Sequence, residues 1–515
     1  MSTLSDRTVH VSATAPAAVI EAVPTRTKIV ATVGPASGSA ETLARMVEAG
    51  ARIFRLNFSH GDLERQAERV RDIRALEQRI GRPIAIMGDL PGPKIRVGRV
   101  EGEGLEVTTG STVIFQRAQV VTRAGQSPPR FCCTYDGLVS DLEPGQRLLV
   151  NDGAVRMLVV GKGPDEVECS VTCGGRISSG KGINVPESDL SVEALSARDW
   201  SCVDWAIENG LDCLAMSFVR GPDDISRLDE GVGRRLQAAK SPLARLPLVA
   251  KIELPRAVAN IEPILEVADA IMVARGDLGV EMDLARVPVI QKRLLEAAQD
   301  HGRPAIVATQ MLETMINAPI PTRAEASDVA NAIIDEADAI MLSGETAVGR
   351  YPVIAVETMR RIAEHTEAYL GEKPPPDRPP GRLVASRHWM AALAHGVWTV
   401  ATDIGAKFVY VWTRRGHGAR FLSQNTFHVP VIAVTPDGHI ARQIQFFRGV
   451  FPIHMPDEPP NLGEMARRID ERLLENGWAR TGDSAVLVTE GHIGDDRTPN
   501  RLAIHAIGEA RTQIQ

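Results

Sequence analysis

Short apolar runs that stop abruptly at charged, polar or glycine residues recur along this chain, most of them followed by helical spacing. They occupy 28–33, 52–56, 83–87, 212–216, 247–250, 270–274, 304–308 and 339–342. Near-continuous apolar runs of this length suit strands buried on both faces, as in a parallel sheet. Helical periodicity fills the intervals, clearly over 40–50 and 284–301, and Gly50, Gly81, Gly210 and Gly302 stand where a left-handed C-cap would end a helix. Eight such β/α units predict a closed (β/α)8 TIM barrel with its chemistry at the C-terminal strand ends.

The pattern changes over about 94–192, where short β-like segments at 112–115, 147–150, 155–160 and 166–172 alternate with Gly and Pro punctuation. This predicts a small all-β domain inserted in one barrel loop, hinged on two chain crossings and so able to act as a lid. The barrel then comprises 25–93 and 193–372, preceded by an N-terminal arm at 1–24. A Pro-rich linker at 373–381 leads into an open α/β domain over 382–515, with a helix at 389–404 and strands at 406–412, 429–434 and 484–489.

Composition narrows the function. Over 515 residues the formal net charge is −7, with 24% charged residues of both signs, which argues against general nucleic-acid binding. No apolar run is long enough to span a bilayer, and the first residues lack the continuous apolar core of a signal peptide, so a cytoplasmic setting is expected. Cys132, Cys133, Cys169, Cys173, Cys202 and Cys213 include no CxxC pair and no His at finger spacing, and read as reduced thiols rather than a zinc site.

The strand ends carry the candidate chemistry. The second run leads into Arg55, Asn57, Ser59 and His60, and the third into Asp89, Lys94 and Arg96. The fifth ends in Lys251 and Glu253, the sixth in Arg275, Gly276 and Asp277, and the seventh in Thr309. Glu253 and Asp277, on neighbouring strands, form a two-carboxylate set that leaves room for water and phosphate oxygens, as Mg²⁺ requires. Lys251, two residues before Glu253, falls on the same side of its strand and suits stabilisation of developing negative charge. Arg55 and Arg96 add fixed cations for phosphate. A single Lys-x-Glu reads more naturally as a structural ion pair; several strand ends with the same chemistry favour an active site. Only nine lysines occur among 58 basic residues, yet Lys94, Lys181 and Lys251 all lie in these segments. Gly175–Lys181 has phosphate-loop spacing, but Gly182 replaces the Ser or Thr and no helix is expected after it, so Lys181 is read as a nucleotide contact from the insert rather than part of a Walker motif.

From about Thr27 onward the chain resembles the pyruvate kinases, most specifically in RLNFSHG (55–61), MVARGDLGVE (272–281), TQMLETM (309–315), PTRAE (321–325) and MLSGET (341–346). The resemblance implies phosphoryl transfer from phosphoenolpyruvate to ADP, giving pyruvate and ATP. It implies that Arg55 and Lys251 contact the transferring phosphate, and that Glu253 and Asp277 hold Mg²⁺, with Mn²⁺ as a substitute. The backbone around Gly276 and Asp277 would bind the substrate carboxylate, and Thr309 would serve the proton relay. Asn57, His60, Arg96 and Lys181 would line the ADP phosphates. A homotetramer is also implied. Two other readings fit less of the sequence: another phosphoenolpyruvate- or enolate-using barrel enzyme, which needs no ADP site, and a non-catalytic effector-binding homologue, which would have lost a catalytic residue.

Three departures stand out. Many members of the family bind K⁺ through oxygens matching Asn57, Ser59, Asp89 and a following Thr; here that Thr is Leu90, and an acidic position nearby is Lys94. This predicts a K⁺-independent enzyme in which Lys94 replaces the cation. After Glu253, Leu254-Pro255-Arg256 replaces more polar residues. In the last domain, the turn Thr413-Arg414-Arg415-Gly416-His417-Gly418 is poorer in hydroxyls and richer in positive charge than the sugar-bisphosphate turns of the family, and suits either a phosphorylated effector or a solvated basic turn.

Overall fold

The computed structural model describes residues 24–188, 190–243, 245–372, 388–425, 428–491, 493 and 500–509. The expected linker at 373–381 and nearly all of the expected N-terminal arm lie outside them.

The eight apolar runs form a closed barrel of parallel strands: Lys28–Thr32, Ile53–Asn57, Ala85–Leu90, Cys213–Met216, Leu248–Ile252, Ala270–Ala274, Ala305–Ala308 and Ala339–Leu342. The ring closes where the first strand pairs with the eighth, Lys28 opposite Ala339. Strand alternation divides the apolar residues into two cores. Val30, Met87, Val249, Met272, Ile306 and Met341 fill the interior, while Ile29, Phe54, Ile86, Leu248, Ile271 and Ile340 pack outward against the helices. Helix signals behave as read: Ser39 caps Ala40–Ala49, and Gly50 follows at φ 127 with its N–H on Met46 and Val47. The PTRAE segment is a capping box, in which Thr322 and Glu325 satisfy each other's backbone at the start of Arg323–Ile334.

The insert is built from a six-stranded sheet in the order Ile183–Asn184, Arg147–Val150, Val155–Lys162, Glu166–Cys173, Thr112–Gln116 and Arg130–Phe131, with a two-stranded ribbon of Leu105–Val107 and Gly175–Ile177. A further segment joins its two edges. Val97 N donates to Lys181 O and Ile183 N to Ile95 O on one side, while Gly98 N donates to Cys132 O and Thr134 N to Arg96 O on the other. Residues 95–98 therefore staple the sheet into a small β-barrel and carry Arg96 on the staple. The phosphate-loop decoy resolves as strand and turn: no helix follows Lys181, and Ile183–Asn184 pairs with Arg147–Val150.

The C-terminal domain is a five-stranded sheet ordered Val450–His454, Val431–Thr435, Phe408–Trp412, Ser484–Thr489 and Arg501–Ala506, the last strand antiparallel. It docks on the bottom of the barrel. Phe446 enters the barrel-interior core. The buried Lys28 Nζ donates to Val450 O at 2.5 Å, Asp338 accepts from Gln424 Nε2 at 2.9 Å, and Asp212 joins Arg74 at 2.6 Å to Arg442 at 2.7 Å.

Candidate active site

At the C-terminal mouth of the barrel, five strand ends converge on a buried charge network. Arg55, on the second strand, donates from Nε to Asp89 Oδ2 at 2.6 Å and from Nη1 to Thr32 Oγ1 at 3.1 Å. Lys251, on the fifth strand, places Nζ 3.2 Å from Asp89 Oδ1, 2.9 Å from Glu253 Oε1 and 2.7 Å from Ser217 Oγ. Ser217 in turn donates to Leu90 O at 2.8 Å. Glu253 Oε2 accepts from Phe218 N at 2.7 Å.

The electrostatics follow from this geometry. Lys251 is buried, but the carboxylates of Asp89 and Glu253 more than offset burial and raise its pKa, so it stays an ammonium. Asp89 is equally enclosed, and Lys251 with Arg55 holds it below the usual carboxylate range. Glu253 moves the other way: burial pushes it up to about 7, Asp277 adds repulsion, and Lys251 opposes both. A buried carboxylate repelled by a second one is a fitting donor set for a divalent cation, whose charge removes that repulsion.

Asp277 lies on the short helix Arg275–Glu281 that follows the sixth strand. Beside it, Gly276 N donates to Thr309 Oγ1 at 2.7 Å, and that hydroxyl donates to Ala308 O at 2.6 Å. A Cβ on Gly276 would stand 3.2 Å from Thr309 Oγ1, so a larger residue here would press on the Thr309 side chain. Thr309 and Gln310 adopt φ of 68 and 54. Arg275 holds them from behind, donating from Nη2 to Thr309 O at 2.8 Å while Nη1 pairs with Asp328 at 2.7 Å.

On the rim, Asn57 Oδ1 accepts from Ser59 N at 3.0 Å and shapes the turn that presents His60. Burial, together with the cations Arg96, Lys94, Arg55 and Arg198, pushes the pKa of His60 down, which places it in a positive field. Arg96 bridges to Gly182, and its Nη1 donates to Gly180 O at 2.9 Å, beside Lys181. Lys94 is exposed and crosses the backbone at Gly182, where an added Cβ would lie 3.0 Å from its Cε. The ion-pair partners of Asp89 among the described residues are Lys251 and Arg55. Leu90 is buried.

Three comparisons bear on this site. A family model described as pyruvate kinase, barrel domain, matches residues 24–356, and one described as pyruvate kinase, alpha/beta domain, matches 391–505. The chain belongs to the pyruvate kinase family. It is 39% identical over 487 residues to a pyruvate kinase of Mycobacterium intracellulare, covering 94% of this chain and 99% of that one. It is 37% identical over 492 residues to one of Bacillus licheniformis, covering 94% and 81%. The crystal structure of a pyruvate kinase from Cryptosporidium parvum superposes with a TM-score of 0.85 at 30% identity, covering 94% of this chain and 96% of that one. The chain is accordingly a phosphotransferase with the barrel and α/β domains of that family.

Several residues at this site of the pyruvate kinase barrel escaped sequence reasoning. Ser217 follows the fourth apolar run directly, so the strand-end rule that found the others could have found it. Thr32 ends the first strand in the same way. Glu345, by contrast, was already marked within the MLSGET motif; it is wholly buried and accepts from Leu312 N at 3.0 Å and Ser343 N at 2.7 Å, tying the loops after the seventh and eighth strands. Asn184 of the insert donates to Glu281 at 2.6 Å, a contact from the insert to the helix bearing Asp277.

The turn at 413–418 is held by carboxylates from elsewhere in its domain. Glu490 accepts from Thr413 Oγ1 at 2.7 Å and Gly418 N at 3.2 Å, and His417 lies 3.6 Å from it. Arg414 pairs with Glu458 at 2.9 Å. Arg415 is exposed.

Proposed function

We propose that this site transfers the phosphoryl group of phosphoenolpyruvate to ADP. The bond between phosphorus and the enol oxygen breaks, a bond to the terminal ADP oxygen forms, and the enolate takes a proton at its methylene carbon to give pyruvate. The observation that carries the reading is the Lys251 ammonium, buried and held by Asp89, Glu253 and Ser217 beside Arg55. Preorganised cations of this kind stabilise charge spreading over a transferring phosphoryl group without reorganising during the reaction. Glu253 and Asp277 would hold Mg²⁺, or Mn²⁺ in its place, which supplies charge neutralisation for phosphate and enolate oxygens. The backbone at Gly276 and Asp277 receives the substrate carboxylate, and Thr309 orders the water that delivers the proton. Asn57, His60, Arg96 and Lys181 line the nucleotide phosphates. The test is ATP formation from phosphoenolpyruvate and ADP by the purified chain; turnover without ADP, or binding without turnover, would replace this reading by one of its rivals.

The same reading holds that no K⁺ is needed. Leu90 is buried and presents hydrocarbon where the resemblance places a ligand hydroxyl, and the Lys94 ammonium would supply the positive charge in its place. Activity in tetramethylammonium buffer tests this, and a many-fold rise on adding K⁺ would overturn it. A homotetramer is proposed, with the exposed Ile504 on the terminal edge strand Arg501–Ala506 available for pairing; sedimentation gives the mass directly. A phosphorylated effector and a cytoplasmic location complete the proposal. No described helix is long and apolar enough to cross a membrane.

A further inference from the structure

The insert meets the barrel beside the active site across a cleft of about 110 Å³. Ile183, Val185 and Pro186 line its insert side, and Leu254, Pro255 and Val280 its barrel side. The loop after Glu253, whose apolar character set this chain apart, therefore forms part of the seat on which the insert rests. Gly153 of the insert also approaches this seat, and a Cβ added there would stand 3.7 Å from Val280 Cγ1. Across the cleft, Asn184 Nδ2 donates to Glu281 Oε1 at 2.6 Å.

Glu281 is buried, and it has no ion-pair partner among the described residues. Burial pushes its pKa up to about 7; the Asn184 bond opposes that shift, while Asp277, Glu187 and Glu253 add repulsion. A carboxyl group enclosed without a cation is costly unless a donor satisfies it, and the Asn184 amide is that donor. The bond joins Ile183–Asn184 of the insert to the last residue of the helix Arg275–Glu281. Asp277 lies four residues earlier, so the two carboxyl groups share one face of the helix, and both line the cleft. The start of the same helix is fixed from the barrel, where Arg275 reaches Thr309 O at 2.8 Å and Asp328 at 2.7 Å. The helix carrying Asp277 is thus held at one end by the barrel and at the other by the insert.

We propose that Glu281 is a positioning residue whose bond to Asn184 couples the seat of the insert to the orientation of the Asp277 carboxylate. This rests on the reading of Asp277 as a ligand of the divalent cation. The ligand set is then in register only while the insert is seated, and an insert lifted from the cleft frees the far end of the helix.

The experiment compares the full chain with Asn184→Ala, Glu281→Ala, Glu281→Gln and the double alanine variant. Mn²⁺ binding is read by electron paramagnetic resonance without substrates, and amide exchange over 276–281 by mass spectrometry without metal. Asn184→Ala is expected to weaken Mn²⁺ binding about tenfold or more and to speed that exchange on the order of tenfold. The double variant should lose no more than either single one, since both remove the same bond. Glu281→Gln, whose side-chain carbonyl still accepts from Asn184, should keep most of the affinity. Asn184 is half-buried, so its variant serves even if truncating Glu281 disturbs folding. Affinity and exchange both within about twofold of the parent in Asn184→Ala, or losses that add in the double variant, overturn the proposal. Failure to turn over phosphoenolpyruvate counts against the proposed reaction instead, because neither measurement uses substrate.

Discussion

Ser217→Ala offers the sharpest test of how Lys251 is aimed. The hydroxyl takes a hydrogen bond from Nζ at 2.7 Å and passes one to Leu90 O at 2.8 Å, so it fixes the ammonium between Asp89 and Glu253. Removing it leaves the charge balance of the cluster intact and deletes only this tether. A hydrogen bond to a charged group contributes about 1.5–3 kcal/mol, and about 1.4 kcal/mol is a factor of ten. If the tether matters fully in the transition state, kcat/KM for phosphoenolpyruvate falls roughly 10- to 100-fold. The loss should appear mainly in kcat, because in the proposed site the substrate carboxylate and ADP are held by other residues. Coupling pyruvate formation to lactate dehydrogenase gives both constants, and Ser217→Thr, which keeps the hydroxyl, should recover most of the rate. A Ser217→Ala enzyme within twofold of the parent, with the same melting temperature, would refute the argument that this hydroxyl positions Lys251.

Other outcomes follow from the same geometry. Lys94→Glu should lower activity in tetramethylammonium buffer and restore part of it when K⁺ is added; a variant indifferent to K⁺ would detach Lys94 from the cation role. Lys251→Met should abolish turnover and also destabilise the fold by about 3–5 kcal/mol in urea melts, because Asp89 and Glu253 lose their shared buried ammonium. Glu253→Gln should weaken Mg²⁺ activation at least about tenfold, read from the Mg²⁺ dependence of the initial rate. Lys28 is enclosed against Val450 and Phe451, and burial lowers its pKa to about 7 from 10.5. Between those values the unfolded chain binds the extra proton, so stability should rise with pH from about 7 to 10, by several kcal/mol at most. Lys28→Met should flatten that slope in denaturant titrations across the same window.

The barrel was legible because its strands are buried on both faces and its functional residues interrupt apolar runs. Arg55, Lys251, Glu253 and Asp277 declare themselves as charges where the packing rule demands hydrocarbon. What escaped has no such contrast. Ser217 is a small polar residue after a strand, a common sight, and its role exists only through two partners on other strands. The staple of the insert consists of isolated bridges at Arg96 and Val97, too short for any period-two pattern. Glu490 satisfies a turn far earlier in the chain, a contact that only the fold creates. The basic character of 413–418 was readable; that its hydroxyl and N–H donors are already spent was not. Lys94 was read from its departure from the family pattern, and the rotamer freedom of an exposed lysine leaves its partner unspecified by the sequence.

The staple at 95–98 has a mechanical consequence. One short length of backbone closes the small barrel, carries Arg96 at its centre and continues directly into Lys94. It works as a crank: if the insert rotates on the barrel, both cations turn together, through an arm too short to bend between them. With Arg96 in the proposed role of nucleotide contact and Lys94 in the proposed role of cation, both would engage in a single stroke, and a substitution that loosens one would retard the other.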